Sequence, residues 1–100
     1  MTKNEKREHS DVLYQAILTL RDLDECKKFF SDLCTVAELR AMEQRFEVAM
    51  LLSDGMIYND ILKRTGASSA TISRVNRSLQ YGADGYQAVL PRIKEQMDQH

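Results

Sequence analysis

YNDILKRTGASSATISRVNRSLQY, from Tyr58 to Tyr81, is the stretch whose reading decides the fold. In Ile61-Leu62-x-x-Thr65, apolar and semi-apolar side chains recur at three and four residues, the spacing of one helix face. Gly66 ends that helix, because glycine enters the left-handed region without steric cost. A tight turn at Gly66, Ala67 and Ser68 follows, and Ser68 or Ser69 can cap a second helix by accepting a free backbone N–H. That second helix puts Ile72, Val75 and Leu79 on one face. Facing outward are Ser69, Ala70, Thr71, Ser73, Arg74 and Arg77, short hydroxyls and a methyl at the tip with guanidinium groups behind. Such a tip fits a DNA major groove, where hydroxyls and methyls read base edges and cations hold phosphates. The spacing is that of a helix-turn-helix over about residues 57–81: a turn glycine, an isoleucine six residues on and a valine three further. Leu62, four residues before the glycine, stands where a small residue is usual. Any two amphipathic helices flanking a glycine would share part of this pattern.

The rest of the composition bounds the setting for this motif. One hundred residues make one small domain, and only four glycines and one proline point to an all-α fold. No apolar run is long enough to cross a bilayer, and the start, MTKNEKREHSD, lacks the apolar centre of a signal peptide, so a cytoplasmic, non-membrane protein is expected. The formal net charge is −1, which taken alone argues against binding nucleic acid. Placement matters more than the total. Between Ile57 and Gly82, Lys63, Arg64, Arg74 and Arg77 face a single acid, Asp60, so this stretch carries +3 and the remainder −4. A basic patch on an acidic body can still release counterions from DNA, with modest affinity and steep salt dependence. Cys26 and Cys34 lack a CxxC spacing or a neighbouring histidine, so they read as small apolar side chains rather than as a zinc or redox pair. No metal or catalytic constellation emerges: no paired carboxylates, no nucleophile beside a base and no glycine-rich phosphate loop.

Taken in order, residues 1–9 are polar and read as a flexible tail, leaving residues 10–100 as a single domain. A first amphipathic helix is expected from Ser10 to Asp22 through Leu13, Ala16, Ile17 and Leu20. Asp24 is the expected cap of a second helix over about 25–33, carrying Cys26, Phe29, Phe30 and Leu33. Thr35 and Glu38 form a capping box that opens a third, long helix ending at Asp54-Gly55. At about 1.5 Å per residue it extends roughly 28 Å, enough to act as a central strut. Ile57 offers no side-chain cap, so the fourth helix has a weakly specified start. After the motif, Asp84 and Gln87 resemble a second capping box, and a sixth helix runs from about Tyr86 to Met97. Pro91 should kink that helix or open a final turn. Six short helices carry more apolar stripe than one small core absorbs. The first, second, third and sixth are therefore expected to bury their stripes against a second copy, the alternative being a monomer whose Met and Phe fill its own core.

Beyond these local patterns, Leu33-x-Thr35-x-x-Glu38-x-x-Ala41-x-x-x-Arg45, then Gly55-Met56, Gly66-Ala67 and Ala70-Thr71-Ile72-Ser73-Arg74-x-x-x-Ser78-Leu79 resemble the tryptophan repressor superfamily. Arg74-Val75-Asn76-Arg77 and Tyr81-Gly82-Ala83-Asp84-Gly85-Tyr86 are similar to its YerC/YecD-like branch. The resemblance covers about residues 10–90. It implies a six-helix, intertwined homodimer that regulates transcription, with the fourth and fifth helices as a DNA-reading head. It also implies an effector site, in which Arg45 and Arg74 would flank the ring of L-tryptophan or another small effector and Ser78 would meet its amino-acid end. A planar guanidinium can stack on an aromatic face and pair with a carboxylate. Val75 departs from this pattern, because the repressor has glycine beside the ring. A branched side chain there fills the slot, so no cofactor is the primary expectation. Arg45 and Arg74 could instead pair with acids such as Glu43 or Glu47.

The leading expectation is a sequence-specific regulator, a repressor in form, that binds double-stranded DNA. Lys63, Ser68, Ser69, Ala70, Thr71, Ser73, Arg74 and Arg77 are its contact residues. Ser69, Ala70 and Ser73 would lie near base edges, with Lys63, Thr71, Arg74 and Arg77 at phosphates or supporting the tip. The alternatives are a constitutive binder without small-molecule control and a helix-turn-helix module that docks an acidic protein. Similar motifs anchor replication initiators and transposases to DNA, but those belong to larger chains.

Overall fold

The computed structural model describes residues 3–99, with side chains from Asp11 onward. Among the described residues the chain is all α-helical: α1 Lys3–Leu18, α2 Leu23–Leu33, α3 Val36–Ser53, α4 Tyr58–Thr65, α5 Ser69–Tyr81 and α6 Gly85–Asp98. The all-α expectation and its six elements hold, while several boundaries move. α1 is already helical at Lys3 rather than Ser10, since its upstream Lys, Glu and Arg are good helix formers. Met1 and Thr2 of the expected tail lie outside the described residues. The helix stops at Leu18 rather than Asp22, because the Thr19 hydroxyl and amide both donate to the Ala16 carbonyl, at 2.6 and 3.0 Å.

The cap of α2 is Asp22, not Asp24. Asp22 Oδ1 accepts the Glu25 N–H at 2.8 Å, and Glu25 Oε1 accepts the Arg21 N–H at 3.1 Å. Asp24 sits one residue inside the helix and pairs with Lys28 at 3.0 Å instead. At α3 the capping box forms as expected. The Glu38 N–H donates to Thr35 Oγ1 at 3.1 Å, and the Thr35 N–H donates to Glu38 Oε1 at 2.8 Å.

Contacts within the chain fall into two compact units, Met1–Leu39 and Arg40–His100. In the first unit no described side chain is fully buried, and Val12, Tyr14, Leu18 and Leu23 are exposed. Cys26 and Cys34 are free and half-buried. The second unit holds a core. Val48 and Ala49 of α3, Ile61 of α4, Ala67 of the turn, and Ile72 and Val75 of α5 are buried together, with Leu52, Met56, Leu62 and Leu79 packed around them. Leu62, the residue that departs from the usual small side chain, is accommodated at this margin.

α6 completes the second unit. Leu90 is buried, and the Tyr86 ring lies 6.4 Å from that of Phe46 on α3. Lys94 Nζ meets Asp54 Oδ1 at 2.7 Å and Ser53 Oγ at 2.8 Å, placing a cation at the negative end of α3. The expected Asp84–Gln87 capping box does not form. Asp84 is left-handed (φ 69°), its side chain caps nothing, and the Gln87 amide donates to the Leu79 carbonyl instead. α6 accordingly opens at Gly85 and runs unbroken through Pro91 to Asp98. Among the described residues, no helix is long and apolar enough to cross a membrane, and no group of three or more His, Cys, Asp and Glu is placed to hold a metal.

Candidate nucleic-acid interface

The motif residues form this surface through three local devices. α4 begins at Ile57 without a side-chain cap and ends at Gly66, whose left-handed backbone (φ 73°, ψ 5°) lets its N–H close on the Leu62 carbonyl at 3.0 Å. The Thr65 hydroxyl donates to the Ile61 carbonyl at 2.7 Å and accepts the Ala67 N–H at 3.0 Å, pinning the turn. Ser68, rather than Ser69, caps α5: its hydroxyl accepts the Thr71 N–H at 3.1 Å and donates to Thr71 Oγ1 at 3.0 Å.

The apolar face of α5 turns to the core, with Ile72 at 0% and Val75 at 2% exposure and Leu79 half-buried at its margin. Its other face is open: Ser69, Ala70, Ser73, Arg74 and Arg77 are exposed, and so are Ser68 in the turn and Lys63 on α4. Thr71 is half-buried, and with Ser68 it is occupied in capping. Two of the expected contact hydroxyls are therefore spent on holding the helix tip, while Ser69, Ala70 and Ser73 remain free to meet a ligand. Among the described residues, none of Lys63, Arg64, Arg74 and Arg77 is in an ion pair, so this face presents uncompensated positive charge.

Of the residues singled out as an effector site, Arg45 lies on α3, and Arg74 and Ser78 lie one turn apart on α5. Ser78 lines a cleft of about 380 Å³ with Phe46, Gly82, Ala83, Tyr86 and Val89, but Arg45 and Arg74 line neither this cleft nor a neighbouring one of about 390 Å³ bounded by Leu52, Asn76, Leu79, Leu90 and Pro91. Val75 belongs to the core and lines neither cleft. The alternative pairing of Arg45 with Glu43 is also not formed, because Arg40 takes the Glu43 carboxylate at 2.6 Å. The aromatic lining of the first cleft was missed from sequence. Phe46 and Tyr86 stand forty residues apart, and no local spacing marks two rings brought together by packing.

Comparison with known proteins sets this surface in context. The family model described as Trp repressor protein matches residues 8–94. The YerC protein of Bacillus subtilis (strain 168) is 53% identical over 85 residues, which is 85% of this chain and 82% of that protein. Two solved structures superpose closely. A TrpR-like protein from Eubacterium eligens ATCC 27750 has a TM-score of 0.85 and 52% identity, covering 93% of this chain and 96% of its own. A Trp repressor candidate from Staphylococcus aureus has a TM-score of 0.84 and 46% identity, covering 94% and 96%.

Proposed function

Because the chain belongs to the Trp repressor family, a family of helix-turn-helix DNA-binding regulators rather than enzymes, we propose that it is a sequence-specific repressor that reads the major groove with α5. The observation that carries this is the division of α5 into two faces. One is sealed into the core, and the other exposes Ser69, Ala70 and Ser73 beside unpaired Arg74 and Arg77. Small side chains at the tip let the helix approach base edges closely, while the guanidinium groups, with Lys63, meet phosphates on either side. The Ser68–Thr71 pair supports the tip and keeps its first turn rigid. Hydroxyls and a methyl discriminate bases weakly, so part of the specificity comes through ordered water and DNA shape.

The active species is a homodimer. Recognition by this motif uses two reading heads about 34 Å apart, and the exposed Val12, Tyr14, Leu18 and Leu23 of the first unit supply apolar surface suited to a second copy. DNA binding does not require L-tryptophan. The placement of the branched Val75 in the core beside Arg74 favours a reader without that effector.

Selection of bound duplexes from a random library, run with and without tryptophan, tests all three statements. The expected result is one enriched two-fold-symmetric sequence, identical in both arms. Ser73→Glu should abolish binding to that duplex and leave the dimer intact, since it sets a longer, anionic side chain into the electronegative groove. Unchanged affinity of this variant would remove α5 from the groove. Because the chain contains no Trp, ligand tryptophan would report its own binding by fluorescence.

A further inference from the structure

The reading head, α4 to α5, is seated on α3 almost wholly by apolar contact: Ile61, Ala67, Ile72 and Val75 against Val48 and Ala49. Burial of this kind holds two bodies together strongly, but it is non-directional. Among the described residues, a single side-chain hydrogen bond joins α3 to this head. Gln44 Nε2 donates to the Thr65 carbonyl at 3.2 Å, across 21 residues of sequence.

The acceptor sits at a sensitive place. Thr65 is the last residue of α4, where helix carbonyls have no partner within the helix. Its hydroxyl is already used by the Ile61 carbonyl and the Ala67 N–H, so the side chain is tied into the turn while the carbonyl turns to Gln44. One residue on, Gly66 reverses the chain, and two further on, Ser68 caps α5. Gln44 lies one helical turn before Val48, on the face of α3 that carries the core, and is itself half-buried. It therefore grips the pivot from which α5 takes its direction.

We propose that Gln44 is the positioning residue that sets the tilt of the α4–α5 head against α3, and through that tilt the fit of α5 to its DNA site. It touches no DNA. Its effect on DNA rests on α5 being the reading helix, whereas its effect on the head's orientation does not.

Two variants test this. Gln44→Met keeps the length and apolar stem but removes the donor, and Gln44→Glu sets an anion against the carbonyl. The first measurement is made on the DNA-free dimer: residual dipolar couplings of the amides of residues 58–81 relative to those of residues 40–53. The second compares affinity for the duplex selected by the wild type with affinity for random-sequence duplex at one salt concentration. The expected result is a changed head orientation at unchanged helix content. It comes with a loss of about three- to tenfold on the selected duplex, the range that one neutral hydrogen bond spans, and under about twofold on random duplex. An unchanged orientation in both variants overturns the inference whatever happens to affinity, as does an equal loss on both duplexes. A changed orientation in a protein whose wild type selects no duplex supports the role of Gln44 and sinks the reading of α5 instead. Should the variants fail to fold, the wild type decides: slow solvent exchange of the Gln44 side-chain amide protons supports the bond, and exchange at the rate of a free glutamine overturns it.

Discussion

Gly66 shows what one backbone position contributes. Its φ of 73° lies in the left-handed region, and a Cβ built there would meet nothing within 4 Å. The cost of Gly66→Ala is therefore conformational rather than steric, about 1–2 kcal/mol. Gly66→Asn should cost less, because Asn tolerates this region. Denaturant unfolding of the two variants checks the order. Gly82 behaves differently. Its φ is ordinary, but an added Cβ would run into the Ser78 carbonyl, so Gly82→Ala must shift the end of α5 and the cleft beside it. The first glycine could be read from the motif, since turn and helix stop are local. The second could not, because its constraint depends on how the chain leaves α5.

Helix ends follow the same division. Thr35 and Glu38 are three residues apart, and their box formed as expected; the Ser68 cap and the uncapped Ile57 did too. Asp84 failed as a cap because its left-handed backbone carries the carboxylate away from the free N–H groups of α6, which spacing alone does not reveal. The Thr35–Glu38 box makes a pH prediction. The Glu38 carboxyl is held below its ordinary 4.5, first by the Thr35 backbone N–H and then by the Thr35 side chain. A depressed value in the folded state means that its contribution is complete above pH 4.5 and is lost as pH falls through the folded value. The start of α3 should fray in acid, with lower amide protection, relative to the unfolded rate at the same pH, at Glu38 and Leu39, while Glu38→Gln flattens this dependence. Equal exchange profiles for the two proteins would disconnect the box from the acid response.

Across the whole molecule, the second unit owns the core and the first presents apolar surface. Ile61 is fully buried where α3, α4 and α5 meet, so Ile61→Ala should cost about 2–5 kcal/mol. It should also loosen the reading head, lowering both the melting temperature and DNA affinity. If the active species is a dimer, the melting temperature rises with protein concentration. Leu18→Glu or Tyr14→Glu should abolish that rise and shift sedimentation toward the monomer while leaving the second unit folded. A melting temperature independent of concentration would refute the dimer.

The sequence by itself determined six helices, the left-handed stop at Gly66, the capped start of α3 and, except for the half-buried Thr71, the outward set on α5. Each of these depends on side chains and backbone groups within three or four residues of one another. Only the tertiary structure decided that Ser78 shares a cleft with Phe46 and Tyr86 but not with Arg45, and that Gln44 reaches Thr65 while Lys94 reaches the end of α3. The two hydrogen-bonded pairings join groups 21 and 41 residues apart. Their partners are fixed by how helices pack, and a periodic pattern records only which face of a helix is apolar, not what lies against it.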